Sequence, residues 1–132
     1  MSTRTMLKSK IHRARVTDCN IDYEGSITID SDLLKAADIL PYERVEILNI
    51  KNGARFSTYA IEGKSGAGDI CLNGAAARLA CVDDLVIILT YQEVPSDEAG
   101  QVKPRMVYVD SRNRITCTKN VDAWINNLLG SR

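Results

Sequence analysis

At 132 residues, with 45% hydrophobic and 26% charged side chains, the chain has room for one globular core and not for two. Its 17 Lys and Arg balance its 17 Asp and Glu, so no net field favours nucleic acid or an anionic membrane, and a small-molecule partner is expected. The longest apolar run, Leu85-Val86-Ile87-Ile88-Leu89, is far shorter than the roughly 20 residues of a membrane span. Met1-Ser2-Thr3-Arg4-Thr5-Met6 is not followed by the apolar region of a secretory signal, so the expected location is the cytoplasm. Cys19, Cys71, Cys81 and Cys117 are irregularly spaced, with no C-x-x-C pair and one histidine in the chain. That pattern argues against zinc or any other metal, and the cysteines read as small buried or surface residues.

In chain order, Leu7 to Val16 reads as a strand carrying basic side chains. Lys10 and His12, two residues apart, point to one side of it. Tyr23 to Asp30 passes from a turn into the alternation of a half-buried strand, with Ser26 at the entrance. Ser31 is expected to cap a short helix over Asp32 to Ala37, with Pro41 just beyond its end. Arg44 to Ile50 and Arg55 to Ile61 form a hairpin around Asn52-Gly53, a pair suited to positive φ angles. Regular alternation on the second strand puts Arg55, Ser57 and Tyr59 on one face and Phe56, Thr58 and Ala60 on the other.

The loop Glu62 to Gly68 is rich in glycine, but Lys64 precedes its Gly-x-Gly, so it is not a Walker A phosphate loop. A strand from Asp69 to Leu72 leads to Asn73-Gly74-Ala75-Ala76-Ala77, where small side chains let backbone amides approach a ligand. The same segment also reads as a strand-to-helix turn capped by Asn73. After the turn Asp83-Asp84 comes an apolar strand, Leu85 to Tyr91, then a polar connection and a last short strand, Met106 to Val109. Ser111 to Thr118 reads as irregular. Val121, Trp124, Ile125, Leu128 and Leu129 share one helical face, predicting a C-terminal amphipathic helix. No domain boundary appears: residues 1–132 read as a single, mainly β domain with a few short helices.

The pair Gly25-Ser26 carries the chemistry. A residue without a side chain before a serine lets the hydroxyl approach the preceding carbonyl with little obstruction, which is the geometry of an intrachain acyl shift. Attack of the Ser26 oxygen on the Gly25 carbonyl would turn the amide into an ester. Elimination and hydration would then leave a pyruvoyl group at position 26 and split the chain into 1–25 and 26–132. Alone, a Gly-Ser pair marks an ordinary turn.

The company of that pair is more specific. Lys10 and His12, then Tyr23-Glu24-Gly25-Ser26, then Asn52-Gly53-Ala54-Arg55-Phe56-Ser57-Thr58-Tyr59-Ala60-Ile61, then Asn73-Gly74-Ala75-Ala76-Ala77 occur in that order. This series resembles the aspartate 1-decarboxylase family, pyruvoyl-dependent enzymes that make β-alanine and CO2 from L-aspartate for pantothenate synthesis. The resemblance runs from about Met6 to about Tyr108. It implies a double-psi β-barrel and a homotetramer with sites between subunits; whether a maturation factor is needed, as in some bacteria with this enzyme, the sequence leaves open.

For the site, the resemblance implies a covalent pyruvoyl derived from Ser26 that takes the substrate amine as a Schiff base, with Tyr59 as proton donor. Arg55 and Lys10, assisted by His12, would bind the carboxylates, and Asn73, Gly74, Ala75 and Ala76 would orient the substrate. Gly25, Ser26, Thr58 and Tyr23 would serve cleavage, Thr58 stabilising the oxyanion. The grouping of Arg55, Thr58 and Tyr59 conflicts with regular alternation and calls for a bulge or a strand end near Thr58. Removing CO2 from an amino acid requires an electron sink. No phosphate cup suggests pyridoxal phosphate in that role. Leu48 stands where some members of the family carry tryptophan. Two rival readings are an uncleaved barrel-type binding or structural module and a pyruvoyl decarboxylase of another amino acid.

Overall fold

A computed structural model of the chain describes residues 2–119. In the first strand, β1 (Thr3–Arg15), Ser9 and Ile11 are buried at alternate positions; a register shift between Ile11 and Ala14, with Arg13 at φ 63, then turns Arg13 to solvent and Ala14 into the core. β2 (Asp18–Asn20), a short strand not anticipated from the sequence, precedes β3 (Ser26–Asp30). Next come helix α1 (Ser31–Ala36), the hairpin of β4 (Arg44–Asn49) and β5 (Arg55–Gly63), and β6 (Ile70–Asn73). A 3-10 helix (Gly74–Leu79) leads to β7 (Leu85–Pro95), and a second (Ala99–Gln101) to β8 (Arg105–Val109) and β9 (Ile115–Lys119). The expected C-terminal helix around Trp124 lies outside the described residues.

The strands form one sheet in the order β2-β6-β3-β5-β4-β7-β1-β8-β9, with parallel pairs β1–β8, β2–β6 and β3–β5. Parallel neighbours need crossover connections. The sheet curls round a single core, to which Ile11, Ile27, Ile47, Ile70, Ile88 and Val107 come from six different strands. The expectation of a mainly β chain with a few short helices is met.

Local chemistry explains three departures from the expected elements. The cap of α1 is Asp30, not Ser31: the Asp30 carboxylate accepts from the Asp32 amide at 2.8 Å and from the Gly68 amide at 2.8 Å. Residues 115–119 are not irregular. Asp110 accepts from the Arg112 and Arg114 amides, and Asn113 turns the chain at φ 62, so β8 and β9 pair as a hairpin. The Asn113 side chain then ties this turn across the barrel end, donating to the carbonyls of Arg15 and Gly68, both at 2.8 Å. In the β4–β5 connection, Gly53 has a positive φ of 74° and Asn52 does not. The Asn52 side chain instead accepts from the Ala54 amide.

Candidate active site

Ser26 opens β3, and its face of the strand is set by its neighbours: Ile27 and Ile29 fill the core, so Ser26 and Thr28 point the other way. Ser26 is fully buried. Its hydroxyl donates to the Glu24 carbonyl at 3.2 Å and accepts from Asn73 Nδ2 at 3.0 Å. The second contact follows from register, since Ser26 lies directly opposite Asn73 in the antiparallel β3–β6 pair. Asn73 occupies the N-cap position of the 3-10 helix that follows, as expected, but its side chain makes no capping hydrogen bond. Its amide serves Ser26 and, at 3.1 Å, Thr28 Oγ1.

Gly74 continues from Asn73 at φ +65. A Cβ there would stand 2.6 Å from both the Cα and the nitrogen of Gly25 and 2.8 Å from the Tyr23 carbonyl oxygen. The absence of a side chain thus lets the 23–25 segment lie against β6. Gly25 opens onto a cavity of about 190 Å³ lined also by Phe56, Thr58, Ala75, Ala76 and Leu79, large enough for a small polar metabolite and too small for a drug-sized ligand. Of the residues singled out from the sequence, Tyr23, Gly25, Ser26, Thr58, Asn73, Gly74, Ala75 and Ala76 therefore come together.

The remainder do not line that cavity. β5 pairs with β4 in unbroken register from Arg55 to Tyr59, so no bulge moves Thr58. Thr58 lies opposite the buried Val45 on the inner face, and Arg55 and Tyr59 lie opposite Leu48 and Arg44 on the outer one. The β4 ladder ends at Tyr59, and β5 pairs with β3 from Ala60 onward. Lys10 and His12 stand on β1, with β5, β4 and β7 intervening between it and β3 in the sheet.

His12 packs edge-on to Tyr108, centroids 5.7 Å apart, at a cavity shared with Arg13, Leu85 and Asp110. Its Nδ1 is buried and has no hydrogen-bond partner. Burial first, then the charges of Lys10 and Arg13, hold its pKa below the usual 6.5. The neutral ring is therefore favoured at pH 7. Because the folded value is the lower one, the contribution of His12 to stability is intact above about pH 6.5 and is lost as pH falls from there through the folded value. His12 is the one histidine of the chain, so an NMR titration of its ring is unambiguous. We expect a midpoint below 6.5, rising in Lys10→Ala; a midpoint unmoved by that change would show that Lys10 exerts no field on the ring.

Thr28, Phe56 and Leu79 were not anticipated from the sequence. For Thr28 the signal was available: a hydroxyl two residues from Ser26 on the same strand shares its face.

Fold and site define a class: a small β-barrel built round a buried serine that directly follows an exposed glycine, the pair held against a loop of small residues. The chain belongs to the aspartate decarboxylase family, whose model matches residues 1–116. It is 59% identical to the aspartate 1-decarboxylase of Thermoanaerobacter pseudethanolicus, over 84% of this chain and 95% of that protein. Its identity to the aspartate 1-decarboxylases of Dehalococcoides mccartyi and Syntrophobacter fumaroxidans is 58%, over 87% and 84% of this chain and 93% and 90% of those proteins. Among solved structures, the computationally designed msDPBB_sym2 protein is similar with a TM-score of 0.43 at 16% identity, covering 67% of this chain and 99% of that one.

Proposed function

We propose that the chain converts L-aspartate to β-alanine and CO2, after Ser26 has attacked the Gly25 carbonyl and the chain has split into residues 1–25 and 26–132. The supporting observation is the position of Ser26: buried, hydrogen-bonded to Asn73, and joined to a glycine that opens onto the cavity of Thr58, Ala75 and Ala76. The overall cleavage balances by uptake of one water and release of one ammonia: Gly25 ends as a carboxylate and position 26 as a pyruvoyl group.

The site fits such a group. Ser26 is enclosed, Asn73 offers an N–H donor at its oxygen, and Gly74 leaves the 23–25 segment close beside it. When formed, the pyruvoyl group supplies the electron sink that breaking a C–C bond of aspartate demands. The chain does the rest. Asn73 holds an oxygen at position 26, while the backbone of Gly74, Ala75 and Ala76 shapes the cavity. The Thr58 hydroxyl, on the inner face, stabilises the oxyanion during cleavage, a contribution that reaches about 3 kcal/mol for one well-aimed donor. Tyr23 sits at the mouth, its carbonyl against Gly74.

L-aspartate is a dicarboxylate and needs fixed cations. Arg55 can hold a carboxylate bidentately, Lys10 adds a point charge and His12 assists, while Tyr59 returns a proton to carbon. Lys10 and His12 lie on β1, separated from β3 by three strands of the sheet, and Arg55 lies on the outer face of β5; together with the resemblance this supports a homotetramer with each site completed by a neighbouring subunit. No helix among the described residues is long and apolar enough to cross a membrane, and we infer a cytoplasmic enzyme of the double-psi barrel kind that serves pantothenate synthesis.

An intact-mass spectrum of purified protein after prolonged warm incubation tests the proposal. Two fragments split after residue 25, the larger one losing its blocked terminus to hydroxylamine, and β-alanine formed from aspartate are expected. A single full-length mass would overturn it.

A further inference from the structure

The geometry points to Thr28 as the residue that positions Asn73 for the chemistry at Ser26, an inference that rests on the reading above. A primary amide has opposite ends: two N–H donors on one side and an acceptor oxygen on the other. In this site both hydrogens are used, one on Ser26 Oγ at 3.0 Å and one on Thr28 Oγ1 at 3.1 Å. Asn73 is 5% exposed, so a hydrogen left without an acceptor here is costly. Ser26 Oγ, its own proton on the Glu24 carbonyl, takes an N–H from Asn73, and Thr28 Oγ1 accepts the second hydrogen and so fixes the plane in which the amide lies.

Thr28 is itself held. As a β-branched residue it has a stiff χ1, and its methyl carbon lies so close to Gly63 that a Cβ at that position would be 3.1 Å away. The methyl packed towards β5 leaves Oγ1 turned towards β6, diagonal to the Ser26–Asn73 pair. The side chain at 28 thus transmits the position of two strands to one amide.

The direction of that amide matters because the Ser26 hydroxyl proton is given to the Glu24 carbonyl, which is not a base. In the acyl shift, Ser26 Oγ bonds to the Gly25 carbonyl carbon, the Gly25–Ser26 C–N bond breaks, and the hydroxyl proton ends on the freed nitrogen. Charge grows on Oγ as its proton departs, and an N–H aimed at that oxygen stabilises the charged form. With Thr28 Oγ1 removed, the second N–H loses its acceptor and the amide is no longer held in the plane that aims its first N–H at Ser26 Oγ.

The test compares cleavage rates by intact mass in full-length chains. Thr28→Val keeps the shape and removes the hydroxyl; Thr28→Ser keeps the hydroxyl and removes the methyl. About tenfold slower cleavage is expected for Thr28→Val, the scale of one lost hydrogen bond, with Thr28→Ser within about twofold of the native rate. Should the valine fail to fold, Thr28→Ala against Thr28→Ser isolates the same hydroxyl, and alanine is expected to be the slow member. A purely structural role would be visible in melting temperature and would not sort variants by hydroxyl. Native chain that cleaves while Thr28→Val, or Thr28→Ala, keeps pace with it overturns the role of Thr28. Native chain that never cleaves overturns the functional reading beneath it.

Discussion

Ser26→Ala is expected to yield one uncut chain with no β-alanine formation, while folding as the native chain does. The Ser26 hydroxyl makes two hydrogen bonds, to the Glu24 carbonyl and from Asn73 Nδ2, and neither partner is a base. The oxygen that forms the ester is the one deleted. The loss should be complete, because the same atom is needed both to break the chain and to leave the electrophile. The structural consequence is small by comparison. Alanine fits the space, and Asn73 keeps its bond to Thr28, so the cost is one N–H left unpaired, about 1–3 kcal/mol. Intact mass, an aspartate decarboxylation assay and a melting curve check the three parts. An alanine variant that still divided after residue 25 would move the attack to another nucleophile and remove Ser26 from the centre of the chemistry.

How much of this was legible in the sequence depended on whether a signal was local. Alternation in residues 26–30 located β3 and put Ser26 and Thr28 on one face, and Asn52-Gly53 located the β4–β5 hairpin. Both are properties of a few consecutive residues. The turn at Asp110 to Asn113 was missed because it depends on side chains bonding their own backbone and on a left-handed Asn113. Once that turn was missed, β9 had no partner to pair with. The cap at Asp30 was missed for a related reason: its carboxylate is held in place by Gly66 and Gly68 amides more than thirty residues away, which no short window contains. The site divided the same way. Motif order named Ser26, Asn73 and Thr58, which the fold brings together, and alternation set Arg55 and Tyr59 on the face opposite Thr58, but no spacing could say which of the two faces is the outer one. That follows from which neighbours are buried, and burial is a property of the whole barrel.

Gly74→Ala should slow cleavage by two orders of magnitude or so while lowering stability only modestly, and a second glycine supplies the control. Gly74 and Gly53 both have positive φ, +65 and +74, so alanine pays a similar backbone penalty of about 1 kcal/mol at either position. Their surroundings differ. A Cβ at Gly53 meets nothing within 4 Å, whereas one at Gly74 stands 2.6 Å from the Gly25 backbone and 2.8 Å from the Tyr23 carbonyl. Backbone atoms cannot rotate aside as a flexible side chain can, so the 23–25 segment must move away from β6. That segment is exposed and its displacement exposes little core, which keeps the stability cost low. Cleavage, by contrast, depends on the distance between Ser26 Oγ and the Gly25 carbonyl carbon, and a displacement of about 1 Å in reacting groups is enough for a hundredfold loss. Melting temperatures of the two variants should therefore be similar and their cleavage rates far apart, with Gly53→Ala near the native rate. Equal rates would mean that the close approach of Gly74 to Gly25 does not hold the scissile bond in place.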